Sequence, residues 1–223
     1  MSLQPPYLSK NKLEMKAETL LAEYHDGAYL REAMPLDIEH FAEFQINANI
    51  DYQELTFDGR ILGMSVFQTL TKSIVHKEGA KVDIIFPAQT IVIDHKALED
   101  SPESRTRFTI AHECAHLILH QNIYYRDPLM KCSSHSSYRP FTATSENVRT
   151  DTVDRAEFQA NYLGAALLMP RTPFSDAYQR RVPGNWRDLA EWEKKGVISE
   201  LAATFKASLF ATGVRIKNLG LAT

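Results

Sequence analysis

Arg107-Phe-Thr-Ile-Ala-His112-Glu-Cys-Ala-His116-Leu-Ile-Leu-His120 is the stretch on which the reading of this chain turns. At its centre, His112-Glu113-Cys114-Ala115-His116 has HExxH spacing. Two histidines four apart on a helix lie on one face, roughly 6 Å apart along the axis, so both imidazoles can reach one tetrahedral metal ion. Glu113 follows the first of them and points beside that ion. There it can take a proton from a water whose pKa the metal lowers to about 7.

Residue frequencies alone would produce HExxH in about one of every hundred chains of this length, so the context has to carry the assignment. Phe108, Ile110, Ala111, Cys114, Ala115, Leu117, Ile118 and Leu119 make the surrounding helix apolar nearly all round, the signature of a buried helix. Two histidines and a glutamate inside such a helix need a partner, because unpartnered buried polar groups are costly. One metal ion satisfies all three.

A catalytic site of this kind takes three protein ligands and a water. His120 lies about 12 Å along the axis from His112, too far to share a tetrahedral ion, and reads instead as a histidine at the helix end or one bonded behind a ligand. The two-histidine-plus-glutamate class takes its third ligand from a later helix, and the downstream acids are Asp127, Glu146, Asp151, Asp154 and Glu157. Glu157 is the choice. It opens a helical pattern, Ala156 to Met169, stopped by Pro170, in which Glu157, Asn161 and Gly164 recur on one face. A glycine there costs about 1 kcal/mol of helix stability, which makes sense if another helix approaches closely. Asn161, one turn on, is placed to hydrogen-bond a ligand. The plain alternatives are a solvated carboxylate and a surface amide.

Phe108-Thr-Ile-Ala-His-Glu-x-x-His-Leu-Ile-Leu-His120, followed by Glu157-x-x-Ala-Asn-x-Leu-Gly-Ala-x-Leu-Leu-Met-Pro170, resembles the ImmA/IrrE family of metallopeptidases. The resemblance extends to Asp58-Gly-Arg-Ile-Leu-Gly63 upstream, and to Leu201-Ala-x-x-Phe-x-x-Ser208 and Arg215-Ile-x-x-Leu-Gly-Leu221 downstream. It implies an α+β, zincin-like fold, with a small mixed sheet packed on the HExxH helix and a largely helical C-terminal part. It also implies a zinc ion (Zn2+) held by His112, His116 and Glu157, with Glu113 as catalytic acid and base. The implied activity is endopeptidase cleavage of a protein substrate, a helix-turn-helix transcriptional repressor. A different class of function is a metal-containing module that binds and sequesters a transcription regulator without cutting it.

The chain departs from the family at Cys114-Ala115, where an aliphatic residue and glycine are commoner; a small buried hydrophobe is the simplest role for Cys114. Some relatives carry an added DNA-binding or sensor domain, for which this chain has no obvious room. At 223 residues, 44% hydrophobic and 24% charged, the expectation is one metallopeptidase domain over 1–223. Its parts would be a helical 1–50, a sheet and metal-site core over 51–170, and a helical 171–223. Net charge −3 argues against direct, nonspecific nucleic-acid binding. Two cysteines, no leader and no long apolar run point to a cytoplasmic protein without a membrane partner.

Asn11 to Tyr24 reads as an amphipathic helix and Pro35 to Glu43 as a shorter one. Tyr52 to Phe57 and Arg60 to Phe67 flank Asp58-Gly59, a hairpin signal. Val82 to Phe86 and Thr90 to Asp94 are further strand candidates, and Thr90 to Asp94, if at an edge, would hold a peptide by main-chain pairing. Gln121 to Asp154 reads as a polar, turn-rich loop near the site. In it Cys132 and His135 form at most half of a second zinc site, and a solvated loop is the simpler account. Tyr124, Tyr125, Tyr138 and Arg139 are each chemically able to stabilise an oxyanion. Ser199 to Gly220 looks like a helix-turn-helix, with Ser208 as a cap and Gly220 as a stop. With only Arg215 and Lys217 on the would-be recognition helix, core helices closing the fold are expected.

Overall fold

The computed structural model describes residues 5–56, 58–75, 81–126, 131–136 and 152–222. Helix α1 (Lys10–Glu23) begins where Ser9 Oγ accepts from the Lys12 amide at 3.3 Å, and it buries Leu13, Ala17 and Leu21. Two short pieces follow, α2 (Ala28–Arg31) and α3 (Ile38–His40). The helix expected from Pro35 starts later, because Asp37 caps it by accepting from the His40 amide at 3.2 Å. It then widens at once into a π turn over Phe41–Gln45.

The strands are β1 (Asn49–Gln53), β2 (Ile61–Val66), β3 (Leu70–Val75), β4 (Lys81–Phe86), β5 (Thr90–Asp94) and β6 (Cys132–Ser136). Four of them form a mixed sheet in the order β1-β5-β2-β6, and β3 pairs with β4 in a separate antiparallel ribbon. The hairpin expected around Asp58-Gly59 does not form. β5 lies between β1 and β2, parallel to the first and antiparallel to the second. All five of its residues are buried, which suits a central strand better than an edge, so Thr90 to Asp94 is not available for peptide pairing. Asp94, at its end, redirects the chain: its carboxylate accepts from the Leu55 and Thr56 amides at 2.8 and 3.2 Å and from Ala97 at 2.8 Å. Those bonds carry the chain after β1 past the end of β5 and cap the short α4 (His95–Leu98).

β3 and β6 were not among the strand candidates. The polar run Cys132-Ser-Ser-His-Ser136, expected to be loop, is held as a strand by its ladder to β2. An edge strand takes its register from its neighbour's backbone and needs no apolar alternation of its own. From Gly63 on, β2 alternates: Met64 and Val66 join Ile74, Phe86 and Val92 in a small core under the ribbon, leaving Gly63 and Ser65 for the opposite face. That face meets α5 (Glu103–Arg126).

After α5 come α6 (Thr152–Leu168), α7 (Arg171–Arg181), α8 (Glu191–Phe205) and α9 (Leu209–Asn218). The fold is thus α+β, with a small mixed sheet on the HExxH helix and a helical C-terminal part. One apolar cluster runs from Leu13 on α1 through Ala111, Ala115, Leu163 and Leu167 to Phe205 and Ile216. The helix-turn-helix look-alike belongs to it: Ser208 Oγ caps α9 by accepting from Ala211 at 3.1 Å, and Gly220 ends it at φ 69°. Arg215 is buried, its guanidinium paired with both oxygens of Glu14 on α1 while its Nε donates to the Met169 carbonyl at 2.9 Å. Tyr162 donates to the same Glu14 at 2.8 Å. Among the described residues no single helix is long and apolar enough to cross a membrane.

The expected close approach at Gly164 is present. A Cβ there would lie 3.1 Å from the carbonyl carbon of Ala111 and 3.2 Å from the amide nitrogen of His112. Helix propensity alone favours Gly164→Ala by about 1 kcal/mol, whereas pushing α6 off rigid backbone costs about 1–3 kcal/mol. Gly164→Ala is therefore expected to lower stability in urea unfolding, and a stabilised variant would show that the helices do not touch there.

Candidate metal centre

Two helices bring the site together. α5 carries His112 and His116 one turn apart, both buried, and α6 carries Glu157, whose side chain keeps 20% of its exposure. His112 Nε2 and His116 Nε2 are 3.0 Å apart, and Glu157 reaches them at 3.4 and 3.3 Å with its two oxygens. Donors around a tetrahedral ion with bonds of about 2.0–2.1 Å stand about 3.3 Å from one another, so the three side chains have the spacing such an ion requires. Among the described residues they are the group of histidine, cysteine or acidic side chains able to hold a metal. Of the other acids considered, Asp127, Glu146 and Asp151 lie outside the described residues, as does the side chain of Asp154.

Hydrogen bonds orient both imidazoles. His112 Nδ1 is 3.0 Å from Asn161 Oδ1, an acceptor, so the proton sits on Nδ1 and Nε2 presents its lone pair. Asn161 thus has the place expected for it. His116 Nδ1 is 3.0 Å from His120 Nδ1, and His120 Nε2 is 3.0 Å from Gln159 Oε1. His120 is no helix-end residue, since α5 continues to Arg126. It lies buried behind His116, and burial holds its pKa below the usual histidine range against the opposing bond to Gln159. The two Nε2 atoms face each other across 3.0 Å with both Glu157 oxygens beside them. The donor set therefore fits a divalent ion.

Glu113 is wholly buried on the sheet side of α5. Ser65 Oγ lies within hydrogen-bond reach of Glu113 Oε2 and 3.0 Å from the Glu113 carbonyl. Gly63 makes the room: a Cβ on it would come within 3.1 Å of Glu113 Oε1 and 2.8 Å of Thr109 Cγ2. Ser65 and Gln159 were not singled out by the sequence, and Gly63 entered only as the end of the Asp58–Gly63 stretch. The alternation of β2 could have put Gly63 and Ser65 on one face, but nothing in the order of residues aims that face at Glu113.

Cys114 is buried and unpaired, and burial, with the charge of Glu113 adding, pushes its thiol far above the ordinary range. It fills space as a small hydrophobe does. Of the four oxyanion candidates, Tyr138 and Arg139 lie outside the described residues, as does the Tyr125 side chain. Tyr124 stacks on Phe67 at 4.0 Å and hydrogen-bonds Ser133. Burial raises its pKa, and the charges of Glu157 and Glu113 add to the effect. Cys132 is half-buried on β6, and the side chain of His135 lies outside the described residues.

Ser65→Ala removes a donor from a buried carboxylate, a loss of about 1–3 kcal/mol. Chemical denaturation is expected to show a decrease of that size; a stability equal to wild type would mean that Ser65 does not hold Glu113.

A search of curated proteins found no match. A family model, the IrrE N-terminal-like domain of peptidases, matches residues 67–217, a span that contains α5, α6 and the three candidate metal ligands. That span is well over half of the chain, and the function that accompanies it is of metallopeptidase type: the chain belongs to the IrrE N-terminal-like family of peptidases.

Proposed function

We propose that the chain is a zinc endopeptidase in which His112, His116 and Glu157 hold the ion and Glu113 moves the proton. The observation that carries this reading is the convergence of two Nε2 atoms and a carboxylate at 3.0–3.4 Å, beside a buried glutamate anchored by the sheet. Two imidazoles and one carboxylate are a donor set of catalytic zinc. An ion held there supplies Lewis acidity, which makes water acidic near neutral pH and polarises a peptide carbonyl. Glu113 takes the proton of the attacking water and later delivers it to the departing amide nitrogen. Ser65 suits both states of that carboxyl. It donates to the carboxylate, and it accepts from the acid while turning its own proton to the Glu113 carbonyl 3.0 Å away.

The substrate in this reading is a protein, offered as an extended segment. Among the described residues β6 is an edge of the sheet next to β2, and strand addition to an open edge is a common way to hold an extended peptide. The resemblance to ImmA/IrrE proteins supports a helix-turn-helix repressor as that protein, with the cytoplasm as the compartment. Direct reading of duplex by α9 is disfavoured, because Arg215, one of its two basic residues, is buried against Glu14.

Zinc content and cleavage test this together. Wild type is expected to carry about one zinc per chain and Glu157→Ala far less. Glu113→Gln is expected to keep the zinc but lose about 10²- to 10⁴-fold in cleavage of a substrate first identified with wild type. Full cleavage by Glu113→Gln would overturn the mechanism. A stable complex with a regulator and no fragments even with wild type would replace the peptidase with a sequestering module.

A further inference from the structure

Resting on the metal reading above, we infer that the N-terminal segment Pro5-Pro6 is a positioning strap for the metal site, acting on His116 through Gln159 and His120. Two side chains of α6 hold that segment: Gln159 Nε2 donates to the Pro6 carbonyl at 2.7 Å and Arg155 Nη1 to the Pro5 carbonyl at 3.1 Å. Both residues of the strap lie outside the 67–217 span that matches the family.

The direction of every proton in this chain of contacts follows from its outer end. A backbone carbonyl can only accept, so the Gln159 amide must turn its NH2 group toward Pro6 and its oxygen toward His120. That oxygen, 3.0 Å from His120 Nε2, can only accept, so His120 carries its proton on Nε2 and leaves Nδ1 as an acceptor. His120 Nδ1 then receives a proton from His116 Nδ1 across 3.0 Å. His116 Nε2 is left unprotonated, at the point where His112 and Glu157 also converge. In the intact chain Gln159 and His120 are buried, so water does not compete for either contact while the strap is in place.

Without the Pro6 carbonyl the amide has no reason to prefer this orientation. When it turns over, its NH2 group faces His120 Nε2, the His120 proton moves to Nδ1, and His116 must accept at Nδ1 and protonate at Nε2. That places a proton on the atom meant for the metal. The fraction of molecules ready to bind falls, and apparent affinity falls with it. His112 Nδ1 is oriented by Asn161 rather than by Gln159.

The experiment is zinc affinity, by competition with a chromophoric chelator, on the whole chain and its variants, with unfolding of the metal-free forms measured alongside. Gln159→Leu and His120→Ala are expected to weaken zinc binding about 10- to 100-fold. Removal of residues 1–6 is expected to weaken it about three- to tenfold, with Arg155→Ala acting in the same direction. Gln159→Glu separates positioning from mere packing. Its carboxylate still accepts from His120 Nε2 but, when ionised, cannot donate to Pro6, so on that background removal of residues 1–6 should leave zinc affinity unchanged. Zinc affinity within twofold of wild type in both Gln159→Leu and the shortened chain would overturn the strap. So would an equal loss from shortening on the Gln159→Glu background, which would assign the effect to folding. A wild type that binds no zinc would instead remove the metal reading on which the strap rests.

Discussion

The contact of Gly164 with the backbone of Ala111 and His112 is the constraint on which the site depends. With hydrogen as its side chain, this residue lets α6 lie directly on the main chain of α5, 3.1–3.2 Å from where a Cβ would be. At that separation the residues one and two turns earlier on the same face of α6 meet the histidines of α5. Asn161 reaches His112 Nδ1, and Glu157 reaches both Nε2 atoms. A wider helix pair would draw Asn161 and Glu157 away from the histidines they meet, and a buried polar group that loses a partner is costly. Packing and chemistry are therefore set by one glycine.

The other side of α5 is set by the sheet. Glu113 enters a space that β2 provides, by omitting a side chain at Gly63 and supplying a hydroxyl at Ser65. The same strand turns Met64 and Val66 to the opposite core, so the pleat that builds a hydrophobic layer on one face builds a polar socket on the other. Asp94 gives this geometry its topology. By gathering the amides of Leu55, Thr56 and Ala97 at the end of β5, it steers the chain so that β2 enters beyond β5 and next to α5.

Far ends of the chain brace α6 from outside. Glu14 on α1 and Arg215 on α9 form a buried pair whose bonds to Tyr162 and the Met169 carbonyl fasten the C-terminal half of α6. The Pro5-Pro6 segment lies along its N-terminal half. A buried pair of this kind adds little net stability over apolar residues of the same size, but losing one partner costs several kcal/mol, so it ties three helices together in one arrangement.

Much of the site was legible because it obeys local rules. HExxH places two imidazoles on one helical face whatever the rest of the chain does, and the i, i+4, i+7 recurrence of Glu157, Asn161 and Gly164 needs only helical periodicity to be read. Helix ends marked by Ser208 and Gly220 are local in the same sense. What could not be read was everything decided by pairing between distant segments. β5 inserted itself between β1 and β2, turning an apparent hairpin into a crossover and an apparent edge into the middle of the sheet. The polar strand β6 exists only because β2 offers it a backbone ladder. Ser65, Gly63 and Gln159 owe their places beside Glu113 and His120 to those pairings and to the α5–α6 contact, and their own neighbours in the chain carry no trace of it. The sequence by itself determined the donor types, their helical spacing and the tight helix approach, because each follows from the 3.6-residue turn. Only the tertiary structure decided which strand lies beside Glu113 and which group fixes His120 behind His116, because those contacts join residues dozens of positions apart.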